Sequence, residues 1–140
     1  MPRLPQSANA ATVAIAPHIR AGRAAEEAAA AWLAAQGVLI LDRNVRVPGG
    51  EIDILAQHGQ RLLFVEVRWR RDDRFGGACA SIGRQKRQRL HRAALSWLLQ
   101  QRQQQVMPRD GQPYHELPCR IDALCRDGNG PAGWNWIQGI

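Results

Sequence analysis

Lysine is almost absent from this chain: Lys86 stands alone beside eighteen arginines. Acidic residues are sparse too, twelve against nineteen basic ones, for a net charge of +7 and a pI near 10.9. No apolar run approaches the roughly 18 residues that a membrane-spanning helix needs. Cysteine is limited to Cys79, Cys119 and Cys125, an odd number in a chain of 140 residues. A domain of that length needs no disulfide staples, so free thiols in a cytoplasmic protein are the expectation. Cys119, Cys125 and His115 lack zinc-finger spacing, and the four histidines form no pair at helical spacing. Ser81 and Ser96 have no evident base partner. No glycine-rich loop leads from a strand into a helix, which excludes a phosphate-cradling loop of that kind.

What is present is ordinary for one globular domain, 45% hydrophobic and 22% charged residues, with the basic charge unevenly placed. Residues 61–92 hold ten basic side chains against Glu66, Asp72 and Asp73. Such a balance suits a polyanionic partner, nucleic acid or an anionic membrane face. The bland alternative is an arginine-rich surface from a compositionally biased genome, which the abundant alanine also fits.

Residues 1–17 carry three prolines and no periodicity and are expected to be a disordered tail, with a signal peptide as the alternative. Residues 18–140 are expected to form one domain. From about His18 to Gln36 the pattern is helical and Gly37 is placed to end it. Gly22, Glu26, Ala29 and Leu33 share one stripe, which turns Glu26 inward while Glu27 points about 100° away. Val38–Leu41 begins a strand that continues raggedly to a turn at Pro48-Gly49-Gly50. Glu51–Ala56 alternates, with Ile52 and Ile54 on one face and Glu51, Asp53 and Leu55 on the other. Leu62–Trp69 is a second strong strand, with Leu62, Phe64, Glu66 and Arg68 sharing a face. A two-residue loop at His58-Gly59 would set Asp53 opposite Phe64 and Glu51 opposite Glu66.

Asp72–Gly77 reads as a polar loop. A helix from about Arg84 to Arg102 follows, with Lys86, Leu90, Ala93, Ala94, Trp97 and Leu98 on its inward stripe. Residues 103–116 are expected to be a flexible loop, Cys119–Cys125 a late strand, and Trp134–Ile140 a short edge strand. The order α-β-β-β-α-β predicts an α/β fold, a mixed β-sheet flanked by helices.

The informative constellation is Asp53, twelve intervening residues, and Glu66-Val67-Arg68, with Glu26 upstream on a helix. Either strand acid alone is ordinarily a salt-bridged surface residue. Three acids gathered on one face repel one another unless a cation joins them. Carboxylates on adjacent strands can hold a hard divalent cation through oxygen, with water or phosphate completing its shell. Such a cation activates water and neutralises charge building on a phosphodiester.

In these residues the chain resembles the YraN-like family, bacterial proteins placed in the PD-(D/E)xK nuclease-like superfamily, akin to restriction endonucleases and Holliday-junction resolvases. The matching segments are Gly22 and Glu26 with Ala29 and Leu33, Arg43-Asn44 with Arg46, Gly50-Glu51-Ile52-Asp53-Ile54 and Phe64-Val65-Glu66-Val67-Arg68. Arg70, Phe75-Gly76, Lys86 with Arg89-Leu90, and Arg120-Ile121-Asp122 complete the match, which covers residues 21–124. The resemblance implies a restriction-endonuclease-like domain that hydrolyses phosphodiester bonds of DNA, branched or structured DNA included. It implies Mg²⁺ or Mn²⁺ held by Asp53, Glu66, the Val67 carbonyl and Glu26. The superfamily's catalytic lysine falls on Arg68, which can clamp phosphate but cannot act as a base near neutral pH.

Lys86 heads an inward stripe; the ordinary reading is a surface lysine snorkelling past Leu90, and the alternative is that it reaches the site and supplies the missing amine. Arg68, Arg70, Arg71, Arg74, Lys86, Arg87 and Arg89 are the candidate nucleic-acid contacts, with DNA expected over RNA and no membrane partner. Trp69 faces away from Glu66 and is assigned to packing. The likeness to the resolvases implies a homodimer if two strands are cut. Two other readings remain open: a catalytically inactive nucleic-acid-binding module that keeps the fold, and a basic scaffold for a protein or membrane.

Overall fold

A computed structural model of the protein describes residues 17–72, 76–104, 111–128 and 133–140. Helix α1, Pro17–Ala35, runs through an alanine-rich segment whose buried stripe is Ala25, Ala29, Ala30 and Leu33. It ends as the sequence predicts: Gly37 adopts φ 86°, its N–H bonds the Ala34 carbonyl at 3.0 Å, and Val38 N–H bonds Leu33 at 3.1 Å. This left-handed cap satisfies two terminal carbonyls and sets Val38 into the same apolar cluster as Leu33.

Strands β1 (Leu39–Val47), β2 (Gly50–His58) and β3 (Arg61–Arg70) form an antiparallel meander. The chain then crosses over through α2 (Gly77–Ala80) and α3 (Arg84–Gln104) to β4 (Cys119–Asp127), parallel to β3. The edge strand β5, Asn135–Gln138, is antiparallel to β4. The sheet order is β1-β2-β3-β4-β5, a mixed α/β sheet with a helical layer on each face, as expected.

One face packs Ile54, Ala56, Leu63, Val65 and Leu124 against α1. The other packs Leu55, Leu62, Phe64 and Ala123 against Leu90, Ala93, Ala94 and Trp97 of α3. Each buried Leu, Ile or Phe contributes about 1.5–3 kcal/mol through removal from water. Gly50 lets β2 approach α3 closely, since a Cβ there would lie 3.3 Å from that of Ala93. Among the described residues, no helix is long and apolar enough to cross a membrane.

Several expectations are corrected. The β2–β3 loop is Gly59-Gln60, not His58-Gly59: His58 pairs with Arg61 and Leu55 with Phe64. The register therefore moves by two residues, an even step that preserves faces. Ile52 and Ile54 do not share a face. Ile52 joins the α3-side cluster and Ile54 the α1-side cluster, because the strand's alternation breaks at Asp53 between them.

Gly77 opens α2 instead of closing a loop, and Asp127 fixes it by accepting from Ala78 N–H at 2.7 Å. Of the loop expected over 103–116, residues 103 and 104 belong to α3 and Tyr114–Glu116 forms a 3-10 turn. Residues 105–110 lie outside the described set, as do Arg74 and residues 1–16 of the expected tail; Pro17 already belongs to α1. Cys79 and Cys125, 46 residues apart, are joined as a disulfide, so only Cys119 matches the expected free thiols. The crossover brings α2 onto β4, a proximity no local pattern announces.

Candidate functional site

The β2–β3 pairing ends at Ile54–Val65, and the strands separate just where the acids lie. One register step further sets Asp53 level with Glu66. Asp53 Oδ2 fills the gap by accepting from Val67 N–H at 2.9 Å. On the other side, Asn44 of β1 falls between the pairs Arg43–Ile54 and Val45–Ile52, level with Asp53. Asn44 has φ 53°, a left-handed conformation in which asparagine is better tolerated than most side chains. Asn44, Asp53 and Glu66 thus lie along one row where β2 loses its pairs to both neighbours, while Glu66 keeps its place in the β3–β4 ladder opposite Ala123.

Glu66 is buried, 3% exposed, and its Oε1 lies 3.2 Å from Arg68 Nη2 and 3.3 Å from Lys86 Nζ. Lys86 Nζ therefore contacts Glu66 and does not simply snorkel past Leu90, the more ordinary reading of its position. Glu66 Oε2 is buried without a hydrogen-bond partner, and so is Arg68 Nε. Burial pushes the Glu66 carboxyl up to about 8; the adjacent Asp53, by charge and hydrogen bond, adds to the rise, and Lys86 and Arg68 oppose it.

Glu26 approaches from α1. Burial first, then the charges of Asp53 and Glu51, raise it to about 7, while a hydrogen bond to Asn44 and the charge of Arg43 pull the other way. Its Oε2 is also buried and unpartnered. Asn44 is the member of this group that sequence reasoning did not assign to the site. The signals available were its place in the Arg43-Asn44 segment of the resemblance and an asparagine inside a ragged strand, where a left-handed residue fits.

Of the candidate nucleic-acid contacts, Arg70 and Arg71 are exposed at the end of β3, near Arg68. Arg87 and Arg89 are exposed on α3, beyond Lys86. Trp69 packs edge-on to Trp134 with centroids 5.5 Å apart, donates to Gly128 O at 2.9 Å, and carries the Arg126 guanidinium 4.9 Å from its ring centroid. That is the packing role expected of it.

The donor set suits a hard cation. Asp53 and Glu66 present carboxylate oxygens side by side, with one oxygen of Glu66 unpartnered, and two adjacent carboxylates do not both ionise comfortably without added positive charge. Among the described residues no group of three His, Cys, Asp or Glu side chains is already assembled for a metal. A cation here would therefore rest on the Asp53–Glu66 pair, with water completing its shell.

Residues 25–125 match the sequence profile of Uncharacterised protein family UPF0102. The chain is 40% identical over 116 residues to a UPF0102 protein of Hahella chejuensis, covering 83% of this chain and 85% of that protein. It is 46% identical over 107 residues to one from a Janthinobacterium species, covering 76% and 77%. Against the UPF0102 protein YraN of Salmonella arizonae it is 40% identical over 110 residues, 79% and 77% of the two chains.

Proposed function

The chain belongs to the UPF0102 family, and we propose that it is a nucleic-acid-binding protein that hydrolyses phosphodiester bonds with Mg²⁺ or Mn²⁺, DNA being preferred to RNA. The observation that carries this reading is the Asp53–Glu66 pair, set at a break in the sheet with a cationic amine and guanidinium on Glu66. Asp53, Glu66 and the Val67 carbonyl would hold the cation, and Glu26 would bind it or its water. When bound, it supplies an activated water and neutralises charge on the phosphodiester.

The chain's own residues divide the remaining work. Arg68 stays charged, and the exposed part of its guanidinium grips a phosphate oxygen. Lys86, whose amine can lose a proton where a guanidinium cannot, takes the proton-transfer role at Nζ. Asn44 holds Glu26 toward Asp53. Arg70, Arg71, Arg87 and Arg89 supply backbone phosphate contacts. A two-strand cutter would work as a homodimer.

A second reading is an inactive binding module with the same fold. It is favoured by Lys86 and Arg68 already occupying Glu66 Oε1, and by arginine at the position of the superfamily's lysine. Cleavage of labelled single-stranded, duplex and four-way-junction DNA with Mg²⁺ or Mn²⁺, beside Asp53→Ala, separates the two. Metal-dependent cutting lost in the variant supports the nuclease. Equal binding by both proteins with no cutting supports the inert module.

A further inference from the structure

Among the described residues, an open groove of about 720 Å³ lies between the N-terminal half of α1 and the end of β3. That is within the range of about 300–1,000 Å³ typical of small-ligand sites. Gly22 and Ala25 form its helical wall, and Val67 and Trp69 supply apolar surface on the strand side. Arg68, Arg70 and Arg71 border it, and Glu26 and Arg68 make it continuous with the carboxylate site.

The wall is held in place by the chain's own bonds. Gly128 N–H donates to Arg70 O at 2.8 Å, and Trp69 Nε1 donates to Gly128 O at 2.9 Å. Gly22 has a telling position. A helical glycine costs about 1 kcal/mol relative to alanine, yet a Cβ at Gly22 would meet nothing within 4 Å. Among the described residues none requires the glycine, and its missing side chain leaves the groove wide at this wall.

We infer that this groove seats one unpaired nucleotide of the substrate strand, its base against the apolar surface and its phosphates on the arginines. The inference rests on the nucleic-acid reading above and specifies its substrate: an unpaired strand beside the cut. An apolar surface bordered by guanidinium groups matches a base flanked by phosphates, the pairing that single-strand binders use. A stacked, paired base offers only its edges and cannot enter. Arg71, exposed at the groove's rim, meets the backbone on the side away from Glu66.

The test measures fluorescence anisotropy with labelled oligothymidine of about a dozen residues, long enough for one single-strand site. An abasic strand and a duplex of the same length are the comparisons. EDTA in every arm keeps binding separate from cleavage. The protein should bind oligothymidine about tenfold or more tighter than the abasic strand or the duplex, the value of stacking one base. Gly22→Leu puts an apolar side chain into the groove from a position where a Cβ meets no described residue within 4 Å; it should lose that preference while duplex affinity stays within about twofold.

Unchanged oligothymidine affinity in Gly22→Leu, or equal binding of abasic and oligothymidine strands by the unmodified protein, overturns the inference. Circular dichroism checks that the variant folds. If it does not, Arg71→Gln takes its place, expected to lower the oligothymidine salt slope by about one while an unchanged slope counts against the groove. The expected binding pattern without metal-dependent cutting would sustain the groove and sink the nuclease reading. Cutting of duplex with no effect of Gly22→Leu would do the reverse.

Discussion

Replacing Glu66 by glutamine should flatten the pH dependence of stability. Glu66 is buried beside Asp53, and its carboxyl is raised from 4.5 to about 8. Between those values the folded protein holds a proton that the unfolded chain has released. The native state then binds more protons, so stability falls as pH rises through this window. The slope approaches about 1.4 kcal/mol per pH unit for one group fully in that regime. Asp53 increases the rise, and Lys86 and Arg68 limit it. A total of about 2–4 kcal/mol between pH 5.5 and 8.5 is a working magnitude. For a chain of this size it corresponds to a Tm lower by roughly 5–15 °C at the alkaline end.

Glu66→Gln keeps the shape and removes the titration. Thermal or urea unfolding across that range should show a steep decline for the unmodified protein and a shallow one for the variant. Glu26, raised to about 7, adds a decline of the same sign that both proteins share. Saturating Mn²⁺ should reduce the loss in the unmodified protein alone, because a cation binds the deprotonated pair. Parallel stability–pH curves for the two proteins would refute the reasoning, since Glu66 would then titrate alike in folded and unfolded chains.

The remaining predictions concern Asp122 and Lys86. Asp122 is fully buried and accepts from Arg120 at 2.7 and 2.9 Å, Trp136 Nε1 at 2.9 Å and Gly139 N–H at 3.0 Å. Asp122→Asn places donors against donors and leaves Arg120 without its charge partner, for a cost of about 3–5 kcal/mol in urea unfolding. Hydrogen exchange should show β5 loosening first. Lys86→Arg keeps the charge beside Glu66 but removes the amine; single-turnover cleavage should slow about 10²-fold or more while substrate affinity changes little. An unchanged rate would return Lys86 to an electrostatic role.

The parts of this fold set by local periodicity were legible in the sequence. The stripes of α1 and α3 turn Glu26 and Lys86 toward the sheet, and those two side chains do meet the strand acids' surroundings. Alternation in β3 correctly put Glu66 and Arg68 on the face of Phe64. The hairpin was visible but its register was not, because Gly59 can serve at either position of a two-residue loop. Local sequence also hid the break at Asp53. A regular alternation runs straight through Glu51–Ala56, and the strand yields only where the Asp53 carboxylate takes a backbone N–H from β3. Asn44 and the Cys79–Cys125 disulfide depend on which strands and helices become neighbours, a property of topology rather than of any short segment.

The claim on which the account most depends is that Asp53 and Glu66 together hold a divalent cation. Calorimetric titration of Mn²⁺ into the unmodified protein, Asp53→Asn and Glu66→Gln above pH 8 tests it directly. A saturable site in the unmodified protein that disappears in both variants is the predicted result. No saturable binding, or equal binding by all three proteins, would contradict it.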